Sequence, residues 1–201
     1  MPGLIYRIKF HYKRLFGKKI IIPTYDEKRA VIKQYADEFQ VRTLVETGTF
    51  MGDTVEYFKT RFKKIISIEL SEELAMKAIE RFKNNPNVTI IKGDSGVELS
   101  SILKGNTEPF LFWLDGHYSH SCNVNGSFIV TGKGELDTPI ELELKSILST
   151  NPKHVILIDD ARCFNGEGDY PSIKHIKKIF EKSGKKYNVF IENDIIRALP
   201  L

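Results

Sequence analysis

Three acidic residues stand directly behind apolar runs. Asp115 follows Phe110-Leu111-Phe112-Trp113-Leu114, and Asp159 and Asp160 follow Val155-Ile156-Leu157-Ile158. Runs of that composition and length read as buried strands of a parallel sheet, and in such a sheet the carboxyl ends of neighbouring strands open onto one crevice. Three carboxylates gathered there repel one another unless a cation sits among them, and an all-oxygen ligand set suits Mg2+. Taken singly, each Asp is equally a helix cap or a loop hydrogen bond; the pair together with Asp115 is what argues for a metal. His117 has an ordinary pKa of about 6.5, which makes it a proton acceptor near neutral pH. Its alternatives are an exposed loop histidine or a group standing behind metal ligands. Arg162 either pairs with the acids or reaches an anionic acceptor. His117, His120 and Cys122 form only a weak zinc signal, with no fourth ligand at a standard spacing.

Further candidates lie at the ends of three other strand-like runs. The first ends in Val45-Glu46-Thr47-Gly48-Thr49-Phe50-Met51-Gly52, a two-glycine turn that feeds a helix start. Glycine there lets a ligand approach the backbone N–H groups left free at the helix N-terminus. The spacing is not the Gly-x-Gly-x-x-Gly of a dinucleotide site, and a bare strand-to-helix turn is the alternative. The second run ends in Ser67-Ile68-Glu69, an acid placed either to hold both hydroxyls of a ribose or merely to favour the next helix. The third runs out into Lys92-Gly93-Asp94-Ser95.

The elements that must position these residues alternate regularly. Strand-like runs at 43–47, 65–69, 88–92, 110–115 and 154–159 are each followed by a helical pattern, at 53–62, 71–84, 97–103, 138–149 and 171–183. That alternation is the mark of βαβ units. A lead-in helix is expected over 26–39. Ser71 is an N-cap followed by acids, and Pro171 suits a first helical turn. The chain closes with two strand-like runs, 186–192 and 195–199, parted by the turn pair Asn193-Asp194. The expected fold is α/β and Rossmann-like: a mostly parallel seven-stranded sheet with an antiparallel C-terminal hairpin and helices on both faces. Between His117 and Asp137 a segment containing Gly126, Gly132 and Gly134 is expected to be an irregular acceptor-binding lid.

Composition bounds the rest. With 201 residues, one main domain is expected over 41–201, preceded by a segment 1–40 that carries a basic helix (Arg7, Lys9, Lys13, Arg14, Lys18 and Lys19). That helix either docks its apolar stripe on the domain or makes peripheral contact with an anionic membrane. At 41% hydrophobic and 28% charged the chain is ordinary globular protein, which excludes disorder. No stretch is apolar enough to span a bilayer or to act as an export signal. The net charge of +4 is dispersed and lacks a recognition motif, so a nucleic-acid partner is not expected. Two cysteines, Cys122 and Cys163, are too few for a disulfide framework and suit a reducing cytoplasm. Oligomeric state stays open.

The turn from Glu46 to Gly52 resembles motif I of the class I S-adenosylmethionine (SAM)-dependent methyltransferases, where an acid precedes the first glycine by two residues and the loop holds the methionine part of SAM. The resemblance carries over to Glu46, Thr47, Gly48, Thr49 and Gly52, with Phe50 where that family has its central glycine. It implies ribose contact at Glu69 and cofactor contacts at Asp94, Ser95 and Asp115. The strings Trp113-Leu114-Asp115-Gly116-His117-Tyr118 and Ile158-Asp159-Asp160 resemble the metal-dependent sugar O-methyltransferases of the macrolide and aminocoumarin type. More distantly they resemble the catechol O-methyltransferases, and the segment 115–162 also resembles uncharacterised methyltransferases of polysaccharide gene clusters. This implies Mg2+ on Asp115, Asp159 and Asp160, a general base at His117 where the family has Asp, and acceptor contacts at Tyr118 and Arg162. The acceptor so implied is a sugar, glycan or other polyhydroxylated molecule, with Mg2+ lowering the pKa of its hydroxyl. The resemblance spans about residues 40–199. Two other readings compete: a nucleotide-binding Rossmann enzyme, disfavoured by the missing glycine fingerprint, and a catalytically silent scaffold of a glycan-assembly system.

Overall fold

The computed structural model describes residues 22–117, 134 and 136–201, with the backbone alone for 121–124 and 127–130. The basic helix expected over 4–19, and the side chains of Tyr118, His120 and Cys122, lie outside the described residues.

Helix α1 (Tyr25–Glu38) opens on a capping box, in which the Thr24 hydroxyl accepts from Glu27 N at 3.3 Å and Glu27 Oε2 accepts from Thr24 N at 2.7 Å. The chain then alternates through β1 (Thr43–Thr47), α2 (Asp53–Phe58), β2 (Lys64–Glu69), α3 (Glu72–Phe82), β3 (Val88–Lys92), α4 (Ser95–Ile102) and β4 (Leu111–Leu114). A separate antiparallel pair, β5 (Ser121–Val124) and β6 (Ser127–Val130), follows. Then come α5 (Ile140–Leu148), β7 (Val155–Ile158), α6 (Ile173–Lys182), β8 (Tyr187–Glu192) and β9 (Ile195–Pro200). The large sheet has the order β3-β2-β1-β4-β7-β9-β8. Its first five strands are parallel, and β9 lies antiparallel between β7 and the edge strand β8.

Strand side chains alternate between two cores, one on each face of the sheet. Val45, Phe112, Leu114, Ile156 and Ile158 pack under α4, α5 and α6, with Leu99, Leu144 and Ile176. Leu44, Leu111, Trp113, Val155 and Leu157 pack under α1, α2 and α3, with Ile32, Phe58 and Phe82. Every residue of β4 and β7 is buried, as strands covered on both faces require. α1 belongs to this second core, and Arg197 of β9 donates from Nη1 to Tyr35 Oη at 3.1 Å, which ties the last strand to the first described helix. The β8–β9 turn holds both Asn193 (φ 48) and Asp194 (φ 59) in the left-handed region, the conformation a two-residue hairpin of matching twist needs.

The structure departs from the sequence expectation in three places. α2 ends at Phe58 rather than reaching 62. Pro171 precedes α6 rather than opening it, because Ser172 is the N-cap and its hydroxyl accepts from His175 N at 3.2 Å. The segment expected to be irregular contains the β5–β6 hairpin, and in the sequence Asn125-Gly126, the strongest short hairpin signal, sits between the two strands.

Candidate active site

The tips of β1, β2 and β3 meet through hydrogen bonds. Glu46 is buried and accepts from Ser67 Oγ at 2.5 Å, and Ser67 in turn shares a hydrogen with Thr49 Oγ1 at 2.6 Å. Burial pushes the Glu46 carboxyl up to about 7, against the opposing pull of the Ser67 and Thr54 hydroxyls. Past β1, Gly48 (φ +83) packs so tightly that a Cβ there would lie 2.6 Å from the Asp115 carbonyl oxygen. Phe50 adopts φ 49, so the position where the family resemblance has glycine keeps the backbone that glycine favours. Glu69 is fixed from two sides: Oε2 accepts from Phe50 N at 2.8 Å and Oε1 from Ser71 N at 2.9 Å. Gly52, also at positive φ, has the Phe82 ring where a Cβ would go.

Asp94 caps α4, its Oδ1 accepting from Gly96 N at 2.8 Å, and Ser95 Oγ donates to Glu143 Oε1 at 2.6 Å. Glu143 reaches in from α5, and burial pushes its carboxyl up to about 7, only partly offset by the Ser95 and Thr47 hydroxyls. Thr47 Oγ1 is enclosed without a hydrogen bond of normal geometry among the described residues, although it lies near enough to favour the Glu143 carboxylate. A Cβ on Gly116 would stand 3.0 Å from that same oxygen.

At the tips of β4 and β7 the three expected acids do come together, but already matched by cations of the protein. Lys28 of α1 donates to Asp159 Oδ2 and lies 3.8 Å from Asp160 Oδ1. His117 Nε2 is 2.9 Å from Asp160 Oδ2, and its Nδ1 is 3.7 Å from Asp115 Oδ1. Arg162 Nη1 donates to Asp160 Oδ1 at 2.6 Å and also to Asp194 Oδ2 in the hairpin turn, while Arg162 N donates to Asp194 Oδ1 at 2.8 Å. Burial works against the charged form of every member. It would lower His117, yet the Asp160 hydrogen bond and the Asp115 and Asp160 charges raise it to about 9. It would raise Asp160, yet His117, Arg162 and Lys28 hold that carboxyl well below its usual range. Asp159 stays above its usual range through burial and the Asp160 charge, against Lys28. Asp115 is also held high, by desolvation and by Asp159, although 35% of its side chain remains exposed.

Among the described residues no group of three or more His, Cys, Asp or Glu side chains is arranged to hold a metal ion. Asp159 Oδ2 and both oxygens of Asp160 are already engaged by Lys28, His117 and Arg162, and in that arrangement the acids do not fit Mg2+ as a ligand set. The tips of β1 and β2 do fit the SAM that the sequence resemblance implies: Glu46 has hydroxyl partners but no cation within ion-pair distance among the described residues, and SAM carries both an ammonium and a sulfonium.

Four residues of this site escape a reading of the sequence. Lys28 sits in a helix outside the motif-bearing segment, and Ser67 looks like one polar position of an apolar strand. Asp194 reads as a turn residue. Glu143 alone carries a signal, an acid within the apolar stripe Ile140, Leu144 and Ile147 of α5.

With strand order and site both in view, comparison with solved structures is decisive for the fold. The O-methyltransferase TomG from Streptomyces achromogenes, solved in complex with SAM, is 16% identical with a TM-score of 0.54, the match covering 89% of this chain and 82% of that one. The fold is that of the class I methyltransferases. The O-methyltransferase from Bacillus cereus, solved in complex with SAH, is 17% identical with a TM-score of 0.54, over 88% of this chain and 82% of that one. No family model matches the sequence. A curated relative, Ribosomal RNA small subunit methyltransferase A of Acidobacterium capsulatum, is 39% identical over 64 residues, which spans 31% of this chain and 23% of that protein. Among the described residues, no helix is long and apolar enough to cross a membrane.

Proposed function

We propose that the chain is a SAM-dependent O-methyltransferase that acts on a hydroxyl of a sugar or another polyhydroxylated acceptor. One observation carries the reading: Glu46, a buried acid with no cationic partner among the described residues, lies beside the Gly48 turn with Glu69 fixed at the adjacent strand tip. When bound, SAM would supply an electrophilic methyl on its sulfonium, which would pass to the acceptor oxygen as the S–CH3 bond breaks and the neutral thioether S-adenosylhomocysteine leaves. Glu46 balances the cationic methionine part, and Glu69, held rigid by two backbone amides, receives the ribose hydroxyls. Asp94 and Ser95 border the adenine side, with Ser95 braced by Glu143.

The acceptor side is the cluster at β4 and β7. His117 holds a proton at neutral pH, because Asp160 and Asp115 stabilise the imidazolium. Its part in this reading is therefore to hold a proton against Asp160 rather than to stand as a free base. Asp115 is the carboxylate of the cluster with open surface, and it accepts the proton of the acceptor hydroxyl. Arg162 is committed to Asp160 and Asp194, so it shapes the acceptor wall rather than reaching outward. Magnesium assistance would require an ion to exchange for the Lys28 ammonium.

Calorimetric titration of the protein with SAM tests the reading. A saturable site is expected, weakened at least tenfold in Glu69→Ala, followed by methyl transfer from labelled SAM to members of a sugar panel. A folded wild-type protein that shows no heat of SAM binding overturns it.

A further inference from the structure

Lys28 has no role in the family resemblance, yet it makes the central contact of the acidic cluster. Its side chain is 16% exposed and points from α1 to Asp159, itself almost fully enclosed. The ammonium also lies 3.8 Å from Asp160 Oδ1 and is stabilised by the charge of Asp115. The helix that delivers it is not free to swing. The Thr24–Glu27 capping box sets its first turn, and Val31, Ile32, Tyr35 and Ala36 bury its inner face in the core.

We propose that Lys28 is the built-in cation of this site: its ammonium takes the place among Asp115, Asp159 and Asp160 that a divalent ion would need, and so excludes the metal. The chemistry favours the tenant already there. Mg2+ demands near-octahedral oxygen ligands at about 2.0–2.1 Å, whereas an ammonium with three rotatable donors accepts looser geometry. His117 and Arg162 further occupy both oxygens of Asp160. A divalent ion would have to expel Lys28 and strip Asp160 of its partners before coordinating. The catalytic meaning of this cation rests on the methyltransferase reading; its occupancy of the site does not.

The test follows free Mn2+ by electron paramagnetic resonance while wild type, Lys28→Met and Lys28→Gln are titrated as full chains, with thermal unfolding as the check that each folds. Wild type is expected to show no saturable site below millimolar Mn2+. Each Lys28 variant is expected to gain a single site at least tenfold tighter, lost again when Asp159→Asn is added. A wild-type site in the micromolar range that Asp159→Asn removes overturns the proposal, whether or not the Lys28 variants fold. Mn2+ affinity unchanged in cooperatively folded Lys28 variants overturns it as well. SAM titration of the wild type reads the methyltransferase proposal separately, so either can fail without the other.

Discussion

Burial pushes the Glu143 carboxyl from an unfolded value of 4.5 up to about 7. The folded state therefore binds that proton more tightly than the unfolded chain. Its stabilising effect is complete below pH 4.5 and is lost as pH rises through 7, an effect of about 3 kcal/mol at order of magnitude. Glutamine keeps an oxygen for the Ser95 hydroxyl and cannot ionise. Glu143→Gln is thus expected to gain stability on wild type between pH 5 and pH 8.5, read from urea midpoints at both. Stability profiles that run parallel with pH would show that Glu143 is not the titrating group. Phe50 gives the complementary lesson about a single position. In the sequence it reads as a departure from a glycine motif, yet its backbone takes the left-handed conformation, a cost of about 1–2 kcal/mol.

Among the elements, α1 is the one whose position matters most and whose role was least legible. Its existence shows in Thr24, Glu27 and the apolar stripe of Val31, Tyr35 and Ala36, all readable as a capped amphipathic helix. Nothing in that local pattern says that Lys28 meets Asp159, because the two are 131 residues apart and joined only by the fold. Removing the cap tests the link. Thr24→Ala is expected to cost about 1 kcal/mol, seen as a lower urea midpoint, and to weaken the hold on Asp159, so that Mn2+ binding moves toward that of the Lys28 variants. A loss of stability with wild-type exclusion of Mn2+ would place the anchoring of Lys28 elsewhere in α1. The β8–β9 hairpin was the opposite case: Asn193-Asp194 between two apolar runs announces its turn, while β5–β6 carried a similar signal in Asn125-Gly126 that the glycine-rich surroundings obscured.

At the scale of the whole molecule, the parallel sheet was legible because each strand alternates between two cores. Leu44 and Val45, Phe112 and Trp113, Ile156 and Leu157 send successive side chains to opposite faces. Phe112 is fully enclosed at the centre of one of them, so Phe112→Ala is expected to destabilise the protein by about 3–5 kcal/mol in urea unfolding. A cost under about 1 kcal/mol would mean that this core can collapse around the gap. Charge balance was only half legible. Three acids at strand ends announced that a cation must sit among them, but which cation depended on helices and turns far away in the chain.

Arg162 is steadied by Asp194, which lies in the turn of the last hairpin. A nascent chain that has left the ribosome only as far as α6 would already own all five parallel strands, Lys28 and His117, but not this clamp. The loop bearing Asp160 and Arg162 would still lack its anchor on the Ala161 amide, which donates to the Asp194 carbonyl at 2.8 Å. Competence is thus deferred until the hairpin has emerged and zips in beside β7, arming a crevice whose walls were built long before.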